Sequence, residues 1–142
     1  MNWTNGVTTQ TITSSVAIPT TKWHYVAVSF NGVTAKLYID GVLNNSANLI
    51  SAEPNNFDFL VGASNAASPT RFFRGAIDEV RVWDIEISEI QLRFLMNQEM
   101  DKHTDGNIRG TIIPQNITLN EVVSISWNSL LVYYPIDRKS VV

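Results

Sequence analysis

Two dipeptides, Asn31-Gly32 and Asp40-Gly41, constrain this chain more than any other feature. They separate β-prone runs: WHYVAVSF (23–30), TAKLYI (34–39) and a third beginning near Val42. A type I′ turn needs positive φ at both central residues. Asn or Asp followed by Gly tolerates this, so these dipeptides between apolar runs mark tight antiparallel hairpins. The reading is three strands in a meander.

Other elements fit around that meander. VTTQTIT (7–13) suits a half-exposed strand, and FDFLVG (57–62), beyond a polar stretch at 44–56, reads as another. SNAASPTR (64–71) is a loop containing Pro69. FRGAIDEVRVWD (73–84) then reads as the longest strand of the set. Ser88 opens Ser-Glu-Ile-Gln, in which Gln91 can reach back to the cap. Ile90, Leu92, Phe94 and Leu95 give the short helix after it one apolar face, and the helix is expected to fray by Asp101. Residues 101–126 lose the β pattern and read as a linker with one short extended piece. A new apolar run, SLLVYYPID (129–137), follows Trp127.

Composition removes several function classes. An apolar fraction of 44% and a charged fraction of 16% belong to a globular chain rather than a disordered one. A net charge of −3 supplies no basic footprint for nucleic acid. No apolar run is long enough to cross a bilayer as a helix. The N-terminal residues lack the basic and apolar regions of a signal peptide. Having no cysteine, the chain has no disulfide, thiol nucleophile or thiolate metal site. His24 and His103 stand far apart with no metal-ligand spacing. Asn2, Asn44 and Asn116 open glycosylation sequons, which chance explains in a chain rich in Asn, Ser and Thr.

Short strands, tight turns and little helix point to an all-β antiparallel sandwich. W-H-Y-V-A-V-S-F-N-G (Trp23–Gly32), L-Y-I-D-G (Leu37–Gly41), L-V-G (Leu60–Gly62) and F-R-G-A-I-D-E-V-R-V-W (Phe73–Trp83) occur in one order ahead of the helix. In that order and spacing the chain resembles the LamG-like jelly roll of the concanavalin A-like lectin/glucanase superfamily, over about residues 21–97. The resemblance implies a jelly roll incomplete at its N-terminus, because only 22 residues precede Trp23. It divides the chain into a partial jelly-roll domain (1–100), a linker (101–126) and the start of a following module (127–136). Residues 137–142, DRKSVV, equal the translation of a sequencing-library adapter and are expected to be a non-native read-through tail.

Asp78 and Glu79 are adjacent carboxylates within the FRGAIDEVRVWD run. Successive strand residues face opposite ways, so the pair cannot chelate one ion together. Glu79 shares a face with Arg81, which predicts a salt bridge. The resemblance implies that Asp78 contributes an oxygen to a structural calcium. The alternative is that its carboxylate satisfies backbone N–H groups in a bulge or neighbouring loop. Asp84 and Glu86 form D-x-E, but the E-x-D-x-E of related glucanases would need its first Glu where Arg81 or Val82 stands. No enzymatic activity is expected. Lys36, Tyr38 and Asp40 share a strand face and make a candidate polar-aromatic platform for a ligand. Trp3, Tyr25 and Trp83 are further aromatic candidates, although Trp23, Tyr25, Phe57, Phe59 and Trp83 are expected to pack as core.

The resemblance implies a non-catalytic carbohydrate- or protein-binding adhesion module of a secreted or cell-surface bacterial protein. Its partners would be a glycan or an extracellular protein, together with other modules of the same polypeptide. A structural calcium ion would be its cofactor at most. The alternative is a structural accessory module of a larger glycoside hydrolase or sialidase.

Overall fold

A computed structural model describes residues 2–4, 9–49, 60–64, 68, 70–102, 104, 106–112 and 117–135. The described strands form antiparallel sheets accompanied by one short helix, the architecture of a partial jelly-roll sandwich. β1 (Asn2–Thr4) pairs with β2 (Thr9–Thr11). β3 (Val26–Phe30), β4 (Thr34–Ile39) and β5 (Val42–Asn48) form the expected meander.

The two glycine turns differ from each other. Asp40 and Gly41 both have positive φ, 52° and 74°, as a type I′ hairpin requires. At the first turn only Gly32 is positive (93°). There Asn31 Oδ1 accepts the amides of Val33 and Thr34, closing a three-residue connection.

Both faces of the meander are apolar, which is how a central sandwich sheet is built. One face carries Val28, Phe30, Ala35, Leu37 and Ala47 against Ile12 and Leu49. The other carries Tyr25, Ala27 and Tyr38 against Ile87, Leu92, Leu95 and Ile125. The register shifts between Leu37 and Tyr38, whose side chains are both buried. The buried Ser29 hydroxyl donates to the Ile87 carbonyl (3.1 Å), tying this second face to the chain that enters the helix.

The strand expected over 73–84 is much shorter: β6 spans Val80–Trp83. Glu79 takes a left-handed φ of 54°, which breaks the extended backbone just before it. Leu60–Gly62, read as the end of a strand, are irregular; Phe57 and Phe59 lie outside the described residues. Helix α1 (Glu89–Leu95) starts on Ser88 with the expected capping box to Gln91. It does not have one apolar face. Leu92 and Leu95 are buried, whereas Ile90 and Phe94 are 68% and 51% exposed on the opposite side.

Residues 101–126 also depart from the expected linker. β7 (Gln98–Lys102), β8 (Asn107–Ile112) and β9 (Ile117–Ser126) make a three-stranded sheet. Their β-branched content suits a ladder, although polar residues and Gly106 hide the alternation. A 3₁₀ turn (Trp127–Ser129) leads to β10 (Leu130–Tyr134). This strand, read as the start of a following module, pairs antiparallel with β6. Residues 137–142 and His103 lie outside the described residues.

Candidate functional site

The Asp40-Gly41 turn and the chain entering β3 meet at one end of the meander. The Asp40 amide donates to the Tyr25 carbonyl (2.8 Å), and the Tyr25 amide donates to Asp40 Oδ1 (3.0 Å). Asp40 Oδ2 lies 2.8 Å from His24 Nδ1. The His24 side chain is 9% exposed, and its Nε2 has no hydrogen-bonding partner among the described residues. The carboxylate therefore has a fixed orientation while remaining 46% open to solvent. Trp23, the residue before His24 and expected in the core, is 67% exposed. The antiparallel register begins at Val26 and Ile39, so Trp23 lies outside the β3–β4 ladder.

The hydrogen bond from His24 holds the Asp40 carboxyl below the ordinary carboxylate range, with the Tyr25 amide adding to the effect. A carboxyl whose folded pKa is depressed contributes stability above its unfolded pKa and loses it as pH falls through its folded pKa. Acid titration should show a destabilising step that starts at the ordinary carboxylate value of about 3.9 and continues below it. Asp40→Asn should remove that step from a series of urea melts. An unchanged pH profile in the variant would exclude the coupling. The effect is small because the carboxylate is solvated.

The three residues read as one platform do not form one. Tyr38 is 3% exposed and packs in the core with Ile87 and Leu92, so its ring cannot stack on a ligand. Lys36 Nζ sits 3.3 Å from Glu86 Oε1, a surface ion pair away from the turn. Asp40 alone of the three is held by His24 and the Tyr25 amide at the turn. Alternation along β4 does place Lys36 and Tyr38 on one face, but the helix and its approach cover that face.

Tyr25 links the turn to a second polar cluster. Burial pushes its phenol up, partly offset by the nearby Arg81 guanidinium. The Arg81 side chain is 3% exposed. Its Nη1 donates to the Leu95 carbonyl (2.7 Å), and its Nη2 reaches the Gln98 carbonyl and Glu79 Oε2. The Tyr133 hydroxyl donates to Glu79 at 3.0 Å, and its ring lies 5.7 Å from the guanidinium carbon. The expected Glu79–Arg81 salt bridge is present. Its extent is new, because no local spacing announces that carbonyls of the helix end and of β7 converge on Arg81.

Asp78 is exposed, and its Oδ1 accepts the Glu79 amide (2.8 Å). That is the backbone role given as the alternative to calcium. Among the described residues no three His, Cys, Asp or Glu side chains come together as a metal site. Trp83 is half-buried and packs against the main core. Asp84 donates its amide to the Ser129 carbonyl (3.0 Å) at the strand-to-helix junction.

Comparison with known proteins places these features in context. The family described as Laminin_G_3, of the concanavalin A-like lectin/glucanases superfamily, matches residues 1–93. A crystal structure of an S-layer domain-containing protein (residues 221–444) from Clostridium thermocellum aligns with a TM-score of 0.48 at 27% identity. The alignment covers 62% of this chain and 45% of that one, so the chain spans less than half of that structure. No curated protein matches the chain.

Proposed function

Because this chain belongs to the concanavalin A-like lectin/glucanase superfamily, we propose that it is a non-catalytic glycan-binding module of a secreted or cell-surface protein. One observation carries the reading: His24 and the Tyr25 amide orient a solvent-open Asp40 carboxylate, and Trp23, the residue before His24, is 67% exposed. Sugar rings stack their C–H faces on aromatic side chains while a carboxylate accepts their hydroxyl protons. Trp23 and Asp40 supply those two elements, and Lys22 near the carboxylate adds a donor. Fold membership alone would not support a ligand, since one fold hosts many functions. Among the described residues no helix is long and apolar enough to cross a membrane.

Glycan-array screening of the intact chain, followed by calorimetry on the best ligand, tests the reading. Trp23→Ala should weaken binding about tenfold or more, equivalent to about 1.4 kcal/mol. Asp40→Asn should weaken it less, with thermal unfolding of the Trp variant unchanged. Equal affinity in the Trp23→Ala protein would eliminate this site.

A second reading, an accessory module of a larger glycoside hydrolase or sialidase, is favoured by the outward pair Ile90 and Phe94 on α1. Such a ridge suits packing against a neighbouring module.

A further inference from the structure

The strand that pairs with β6 comes from outside the family-matched region. That match ends at residue 93, whereas β10 begins at Leu130. β10 is nevertheless built into the module. Among the described residues it is the one strand hydrogen-bonded to β6, with Val132 opposite Val82, Tyr133 opposite Arg81 and Tyr134 opposite Val80. Leu130 and Tyr133 pack on the core cluster of Tyr38, Ile87, Leu92, Leu95 and Ile125. The Tyr133 hydroxyl donates to Glu79, which Arg81 holds in place. The β6 edge thus reads its partner in two ways. Backbone bonds accept any extended segment, and the Glu79–Arg81 pair with the core pocket selects a leucine and a tyrosine at fixed positions.

We propose that two copies of this chain associate by exchanging β10, each β6 edge accepting Leu130–Tyr134 of the other. The same contacts form whether the donor is the chain itself or a second copy, because the donor sequence is identical. The chain between helix and donor can stay in place when β10 leaves: β7, β8 and β9 pair among themselves, and Ile125 of β9 is anchored in the core. Only the three-residue turn Trp127–Ser129 has to open, and short hinge turns of this kind are where strand exchange begins. Exchange then costs little beyond the freedom of the second molecule, so protein concentration decides the state. This inference does not depend on the glycan reading.

The absence of cysteine from the chain makes the test clean. Val82→Cys and Val132→Cys occupy facing positions of the β6–β10 ladder. At low concentration the double variant should oxidise within one chain. The two single variants, unfolded together and refolded at high concentration, should give a disulfide-linked heterodimer in excess of either homodimer. Glu79→Gln in the Val82→Cys partner should lower that yield. If the double variant closes internally but the mixed singles give no excess heterodimer, exchange is overturned. If the double variant fails to close, the acceptor pairing itself is overturned. Val80→Cys with Tyr134→Cys, whose second member is 60% exposed, repeats the test at a more tolerant position.

Discussion

Replacing Arg81 by methionine should destabilise the chain by about 3 kcal/mol, measured as a fall in the urea midpoint at unchanged slope. Methionine matches the aliphatic stem and deletes the guanidinium, so packing loss is small and the polar loss is isolated. The Leu95 and Gln98 carbonyls lose their donor, and Glu79 keeps the Tyr133 hydroxyl as a partner. Removing one member of a buried ion pair costs about 3–5 kcal/mol. The lower end applies because Glu79 is 23% exposed and water can reach it. Arg81→Lys should fall between the two proteins, since an ammonium cannot bridge separated acceptors as a planar guanidinium does. Adding Glu79→Gln to the methionine variant should recover part of the loss, because the uncompensated charge is gone. Equal midpoints for parent and methionine variant would show that the cluster holds nothing together.

Leu95→Ala should cost about 2–5 kcal/mol, whereas Ile90→Ala on the same helix should stay within about 0.5 kcal/mol. Leu95 is fully buried among Tyr38, Ile87, Leu92 and Ile125, which come from the meander, the helix and its approach, and β9. Truncation leaves a cavity that elements from distant parts of the chain cannot easily collapse to fill. Ile90 is 68% exposed and its removal opens no cavity. Thermal melts of the two variants separate these outcomes. A small loss at Leu95 would mean that β9 does not pack on the helix.

Local chemistry made some features legible. Asp40-Gly41 forms the type I′ turn its residue types demand, and Ser88 with Gln91 forms the capping box. The Glu79–Arg81 pair follows from two-residue spacing near a strand. What failed to read was exposure. Trp23 and Tyr38 are aromatic residues in adjacent β segments: Trp23 is expected in the core because sandwich aromatics usually pack there, and alternation places Tyr38 on a ligand face. Trp23 is open and lies outside the β3–β4 ladder. Tyr38 is closed because the helix and β9 arrive from elsewhere to cover its face. Likewise Ile90 and Leu92 were equally apolar candidates for one helix face, and only the sheet beneath decides which of them points inward.

The sequence by itself determined the hairpins, the helix start and the family, because turns and caps depend on residues within a few positions of one another. The tertiary structure alone decided that Leu130–Tyr134 lies on β6, that Arg81 gathers the end of the helix, and that Asp40 faces water while bound to His24. Each of those outcomes depends on contacts between residues far apart in the chain, and no local periodicity encodes them.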